Sequence, residues 1–265
     1  MKKTLIALTV AASAAVSGSV WAATWSSGGS GGSVNIGGVL TPTDTTPWEV
    51  WVGDEVQNIN SNIIKGDNSV TVNTPNAIPV LGIRTSSNIA FYGRSGISPQ
   101  INYGGYVDMD NFSSGLTTLT LTIIDKGNQT QIGSLSVPFS AAAVSSWKNI
   151  AGGTQGYRAL YAANVGDGFF GGLAKNADQA ATSNAAVTLI ASLNSDFAAN
   201  FDKQGMSDIA SYVQTETFSN PSLTYSAYYG AGIQANAPMK ISLTNVATSD
   251  PITWQASLPI IVSYQ

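Results

Sequence analysis

From Ile252 to the end of the chain every second residue is apolar or aromatic: Ile252, Trp254, Ala256, Leu258, Ile260, Val262 and Tyr264. The intervening positions are mainly small or polar. This period of two predicts a strand with one buried face. The same period recurs at Met239, Ile241 and Leu243, and again at Leu119, Leu121, Ile123 and Leu135, Val137, Phe139. The last two runs flank Asp125-Lys126-Gly127-Asn128, where Gly127 and Asn128 tolerate positive φ, so they predict a hairpin. Shorter β-branched and aromatic runs at 48–52, 69–72 and 78–83, separated by Asn, Asp, Gly and Pro, predict further strands. Short strands at this spacing predict a β-sandwich.

The period changes between about 141 and 225. Alanines accumulate, and Val187, Ile190, Leu193, Phe197 and Phe201 share one helical face. Ser183 is the expected N-cap and Gly205 the expected stop. A second short helix is expected from Ser207 or Asp208, carrying Ile209, Tyr212 and Val213. Strands before, helices within and strands after predict one β-domain, residues 42–265, with a mixed insertion at about 141–225.

The N-terminus has a different design. Lys2 and Lys3, an apolar stretch over 5–16 and Val20-Trp21-Ala22 form a secretory signal peptide over residues 1–22. That stretch is shorter than the about 18 apolar residues a membrane span needs. Residues 26–33 are a Gly/Ser tether, followed by Val34, Ile36 and Leu40 on one strand face, with Gly37 and Gly38 between them. Residues 23–41 thus read as a tether and a strand without a local hairpin partner.

The terminal strand leaves little chain to cover its edge, and such an edge invites pairing with another chain. Pro259 is compatible with a strand only at an unpaired edge or a bulge. A donor strand at one terminus and an acceptor edge at the other predict head-to-tail addition, which does not close and yields filaments. Burying Val34, Ile36 and Leu40 contributes roughly 5–9 kcal/mol. The ladder adds about 1 kcal/mol per hydrogen bond.

Composition narrows the chemistry. Lys2 and Lys3 are two of eleven basic residues, leaving nine against fifteen acidic ones after cleavage. Nucleic acid is therefore no expected partner. The chain contains neither cysteine nor histidine, which excludes thiol chemistry, disulfides and structural zinc. No cofactor, metal or catalytic residue is expected.

Four segments carry a resemblance: MKKTLIAL at the start, GSVNIGG at 32–38, Ser226-Ala227-Tyr228-Tyr229-Gly230-Ala231-Gly232-Ile233, and Trp254 with Leu258-Pro259-Ile260-Ile261-Val262-Ser263-Tyr264. In these the chain resembles the FaeG/ClpG-like major fimbrial subunits (adhesins) of enterotoxigenic Escherichia coli, with the match concentrated at the two ends. One departure is Ile252, where many pilins carry glycine. The resemblance implies an incomplete immunoglobulin-like β-sandwich, exported by a periplasmic chaperone and an outer-membrane usher and completed by donor-strand exchange between identical subunits. It assigns Val34, Ile36, Gly38 and Leu40 to the donor strand. The accepting C-terminal edge becomes Trp254, Leu258, Ile260, Val262 and Tyr264.

It also implies that the major subunit is itself an adhesin on the bacterial surface, for a host-cell glycan or glycoprotein, with its site in the insertion. Sugar sites combine an aromatic face with fixed polar groups. Trp147, Tyr157, Arg158, Tyr161, Asp167 and Phe169, with Phe170 beside them, supply both types. Alternative readings are a minor subunit without adhesive role, or a secreted glycan-binding module or enzyme. An outer-membrane β-barrel ends in a similar strand but does not accommodate the alanine-rich helical stretch. A glycosidase needs paired carboxylates; Asp167, Asp178, Asp196 and Asp202 show no spacing that opposes two of them.

Overall fold

Nine residues of one alternating strand pair with nine of the next. In the computed structural model, which describes residues 28, 37–39, 46–57, 59–248 and 250–265, β6 (Leu116–Asp125) runs antiparallel to β7 (Gln131–Asn149). Leu119 faces Val137 and Leu121 faces Leu135, as the sequence predicts. The connecting turn departs in one detail: the residue at positive φ is Gln129, at 61°, not Gly127 or Asn128.

β7 is 19 residues long because its two halves serve different neighbours within one 11-stranded sheet. Its first half lies between β6 and β11 (Pro238–Leu243), with β2 (Ser69–Asn73) beyond β11. Its second half lies between β10 (Leu223–Ile233) and β8 (Gln155–Leu160). β3 (Ile78–Thr85) follows β10, and β1 (Trp48–Val52) follows β3 as an edge strand. β4 (Phe91–Tyr92) pairs with the start of β10, and the two-residue β9 (Val213–Gln214) pairs with β8 in parallel. β5 (Pro99–Asn102) joins the C-terminal strand, and all other ladders are antiparallel.

The result is a β-sandwich. Its main core joins Trp48, Leu81 and Ile83 with Leu119, Val137, Phe139 and Tyr229. Trp48 donates its indole N–H to the Ile97 carbonyl at 2.6 Å, which satisfies the one polar atom of a buried ring.

Residues 141–146 belong to β7 and are buried on both sides. A strand covered on both faces loses its period, so Ala141–Val144 resemble a helical stretch in the sequence. The outer cover is α1 (Ser183–Leu193) with the 3-10 turn Ser195–Ala198, packed on Ala142, Val144, Ala159 and Tyr228. Of the five-residue stripe expected here, Ile190 and Phe197 are buried in one core with Val187 and Phe201 half-buried against it, and Leu193 is buried as well. The helix nevertheless ends at Leu193, because Asn194 turns the chain and its side chain accepts the Asp196 N–H at 3.0 Å. Gly205 is not the stop. Thr182, not Ser183, holds the N-cap position. No second helix begins at Ser207 or Asp208; Ala210 instead donates to the Tyr157 carbonyl and Val213 enters β9.

The chain divides into two compact units, residues 1–44 and 45–265. In the first, the described residues Gly28 and 37–39 are exposed. The expected signal peptide and the donor residues Val34, Ile36 and Leu40 lie outside the described residues; Gly38 is exposed and in no strand. Among the described residues no helix is long and apolar enough to cross a membrane.

Candidate functional site

The alternation at the C-terminus produces the predicted face. Trp254, Ala256, Leu258, Ile260, Val262 and Tyr264 all point at the main core, and their neighbours Ser257, Pro259, Ile261 and Ser263 are exposed. The strand is broken into β12 (Trp254–Ala256), paired with β6, and β13 (Ile261–Tyr264), paired with β5. Pro259 falls in the gap, where its missing N–H disrupts no ladder. Each piece has one strand partner among the described residues.

None of the six inward residues is fully buried, although each faces the core. For Trp254, Ala256, Leu258 and Ile260 the reason is a groove of about 1030 Å³ that they line. Leu119, Leu121, Leu135, Met239 and Ile241 form its floor, and Val80 and Ile233 close the opposite side. The ionisable residues among its described lining, Asp54, Glu55, Lys126 and Asp250, are all exposed. β1 borders the groove through Val52. Val50 and Val52 share the strand face of Trp48, yet they are 41% and 53% exposed against 7% for Trp48. A face that enters the core at one end and is uncovered at the other lacks a neighbour.

Strands with one ladder partner each, beside an apolar floor, are the kind of surface to which an extended peptide can add. The sequence identified one wall of this site, the C-terminal one. It missed Val50 and Val52, whose parity with Trp48 was the available signal, and it read Leu119, Leu121 and Leu135 simply as core.

The residues expected to bind glycan have other occupations. Phe169 is fully buried, stacked on Tyr229 at 5.5 Å and set edge-on to Trp48 at 5.7 Å. Tyr157 is buried under Phe201 in the cluster that holds α1, and burial pushes its hydroxyl pKa up. A buried ring offers no face to a pyranose, so the stacking role expected of these two fails. Asp167 is buried and accepts the N–H groups of Ala163 and Asn164 at 2.9 and 2.8 Å, closing its own loop. Arg158 pairs with Glu216 at 2.8 Å, both about nine-tenths buried, and its guanidinium lies 5.6 Å from the centre of the Trp147 ring. Burial raises the Glu216 carboxyl above its ordinary range, while Arg158 opposes the rise. Trp147 and Tyr161 alone keep partial exposure, as does Phe170.

Comparison with known proteins follows the same line. A sequence model of the family described as "Fimbrial, major and minor subunit" (Fimbrial_K88) matches residues 1–265. K88 fimbrial protein AC of Escherichia coli is 29% identical over the full length of both chains, and K88 fimbrial protein AB of the same organism equally so. F41 fimbrial protein, also of E. coli, is 29% identical over 148 residues, 54% of this chain and 53% of its own.

Proposed function

The chain belongs to the family of fimbrial major and minor subunits, and on that premise we propose that it polymerises by strand donation, the N-terminal strand of one copy filling the groove of the next. The observation that carries this reading is the groove itself, an apolar floor beside β12, Leu258 and Ile260. The occupant is the segment 34–40 of another copy. Val34, Ile36 and Leu40 supply alternate apolar side chains, and Gly38 supplies a position where backbone approaches closely. Strand addition between pilin subunits is a known form of β-augmentation. Export by way of residues 1–22, a periplasmic chaperone that fills the groove first and an outer-membrane usher complete the scheme.

Ile36→Asp tests it. The charge burdens only the donor function, so the variant should co-purify with its chaperone as stable subunit and form no fibres. Normal fibres from this variant would refute the assignment.

We further propose, from the resemblance to fimbrial adhesins, that the subunit binds a host glycan or glycoprotein through the exposed part of 141–225. Trp147 and Tyr161 are the residues of the expected set still able to contribute. An unchanged glycan-array profile after Trp147→Ala and Tyr161→Ala together would remove these residues from the site.

A further inference from the structure

We infer that the helical layer braces the groove, making Asp196 and Phe197 positioning residues for donor capture; this rests on the strand-donation reading above. The observation is that β1 is gripped from behind. Strand side chains alternate, so Trp48, Val50 and Val52 face the core and groove while Glu49 and Trp51 face the other way.

The outward pair is held by the 3-10 turn that follows α1. The Trp51 ring lies 5.3 Å from that of Phe197. Arg84, on the neighbouring strand, joins β1 to the turn: its Nε contacts Glu49 at 2.9 Å and its Nη1 contacts Asp196 Oδ2 at 3.0 Å. The same nitrogen donates to the Asp196 carbonyl at 2.8 Å. Phe197 is itself fixed, lying across Gly82 and Gly230, where added methyl groups would collide with it.

The ladder holds this edge strand on one side only, through β3. Beyond Trp48 its inner face is exposed at Val50 and Val52. The turn behind it therefore sets the position of Val52, which lines the groove, and with it the width of the groove. Two events that stabilise the same element are thermodynamically linked, and the linkage is reciprocal. Docking of the turn strengthens donor binding, and donor binding strengthens docking of the turn by the same factor.

The test uses full-chain subunit, released from fibres by denaturant and refolded, with a synthetic peptide of residues 33–41 as the donor. Amide hydrogen exchange is followed with and without peptide. In the wild type, peptide should slow exchange across residues 194–198 by about fivefold or more. In Trp51→Ala that slowing should be lost, and peptide affinity should fall by the same factor. Trp51→Phe should retain both. Trp51 is 38% exposed, so the variant is expected to fold; if it does not, Asp196→Asn reads the same linkage at an exposed group. Peptide protection on β12 and β13 without slowing at 194–198, or equal slowing in Trp51→Ala, overturns the brace and leaves strand donation standing. Failure of the peptide to protect β12 and β13 at all overturns both.

Discussion

Replacing Gly82 by alanine puts a methyl group where the ring of Phe197 lies. The added carbon would sit 2.8 Å from Cζ and closer still to Cδ1 and Cε1. Carbon atoms separate ordinarily by about 3.5–4.0 Å, so the ring must move by roughly 1 Å. It has little room, being 3% exposed and backed by Ile190. Overpacking of this kind costs about 1–3 kcal/mol. Against that stands a gain of about 0.4–1 kcal/mol, because alanine has less freedom to lose from the unfolded chain. The expected net loss is about 1–2 kcal/mol, read as a lower urea midpoint with an unchanged slope, in donor-free subunit. A second arm separates collision from backbone effects. Phe197→Leu makes room, so the double variant should be less destabilised than the sum of the two single ones. A Gly82→Ala subunit as stable as wild type, or strict additivity, would refute the packing described here.

Three further outcomes are expected. Arg158→Met leaves Glu216 buried without its partner and should cost about 3–5 kcal/mol at pH 7. The Glu216 carboxyl is already raised and rises further in the variant. A carboxyl whose folded pKa is raised contributes stability that is full at low pH and lost as pH climbs through that value, so the penalty should shrink from pH 7 to pH 5. A penalty that grows on acidification would contradict this. Gln129→Gly relieves the left-handed turn residue at φ 61° and should raise the urea midpoint, by about 0.5–1 kcal/mol, despite the lost side-chain bond to the Lys126 carbonyl. Val262→Asp places a charge on the half-buried face of β13 and should abolish chaperone pairing, with periplasmic degradation seen by immunoblot; wild-type yield would count against it.

What the sequence reveals depends on how many faces a segment buries. β6, the first half of β7, β11 and the terminal strand each bury one face, and all were legible as alternation. The second half of β7 and most of β10 bury both. There the signal is only small and aromatic residues in a row, and Ala141 to Val144 read as the start of a helical insertion. The stripe Val187 to Phe201 correctly found a buried face, but Asn194 broke the helix through a local side-chain bond that periodicity does not register. β9 was invisible because two residues paired in parallel with β8 carry no pattern of their own. Aromatic density in 147–170 reflected packing more than ligand, since Tyr157 and Phe169 serve two different cores. The inward face of the terminal strand was legible from parity alone. The groove was not, because the parity of Val50 and Val52 does not reveal that their face is exposed.

The size distribution of secreted material tests strand donation most directly, comparing the full chain with one lacking residues 24–40 by electrophoresis without boiling and by electron microscopy. The account predicts ladders and fibres from the full chain and neither from the deletion, whose groove remains intact but whose donor is gone. Fibres from both chains would contradict it, as would monomer from both.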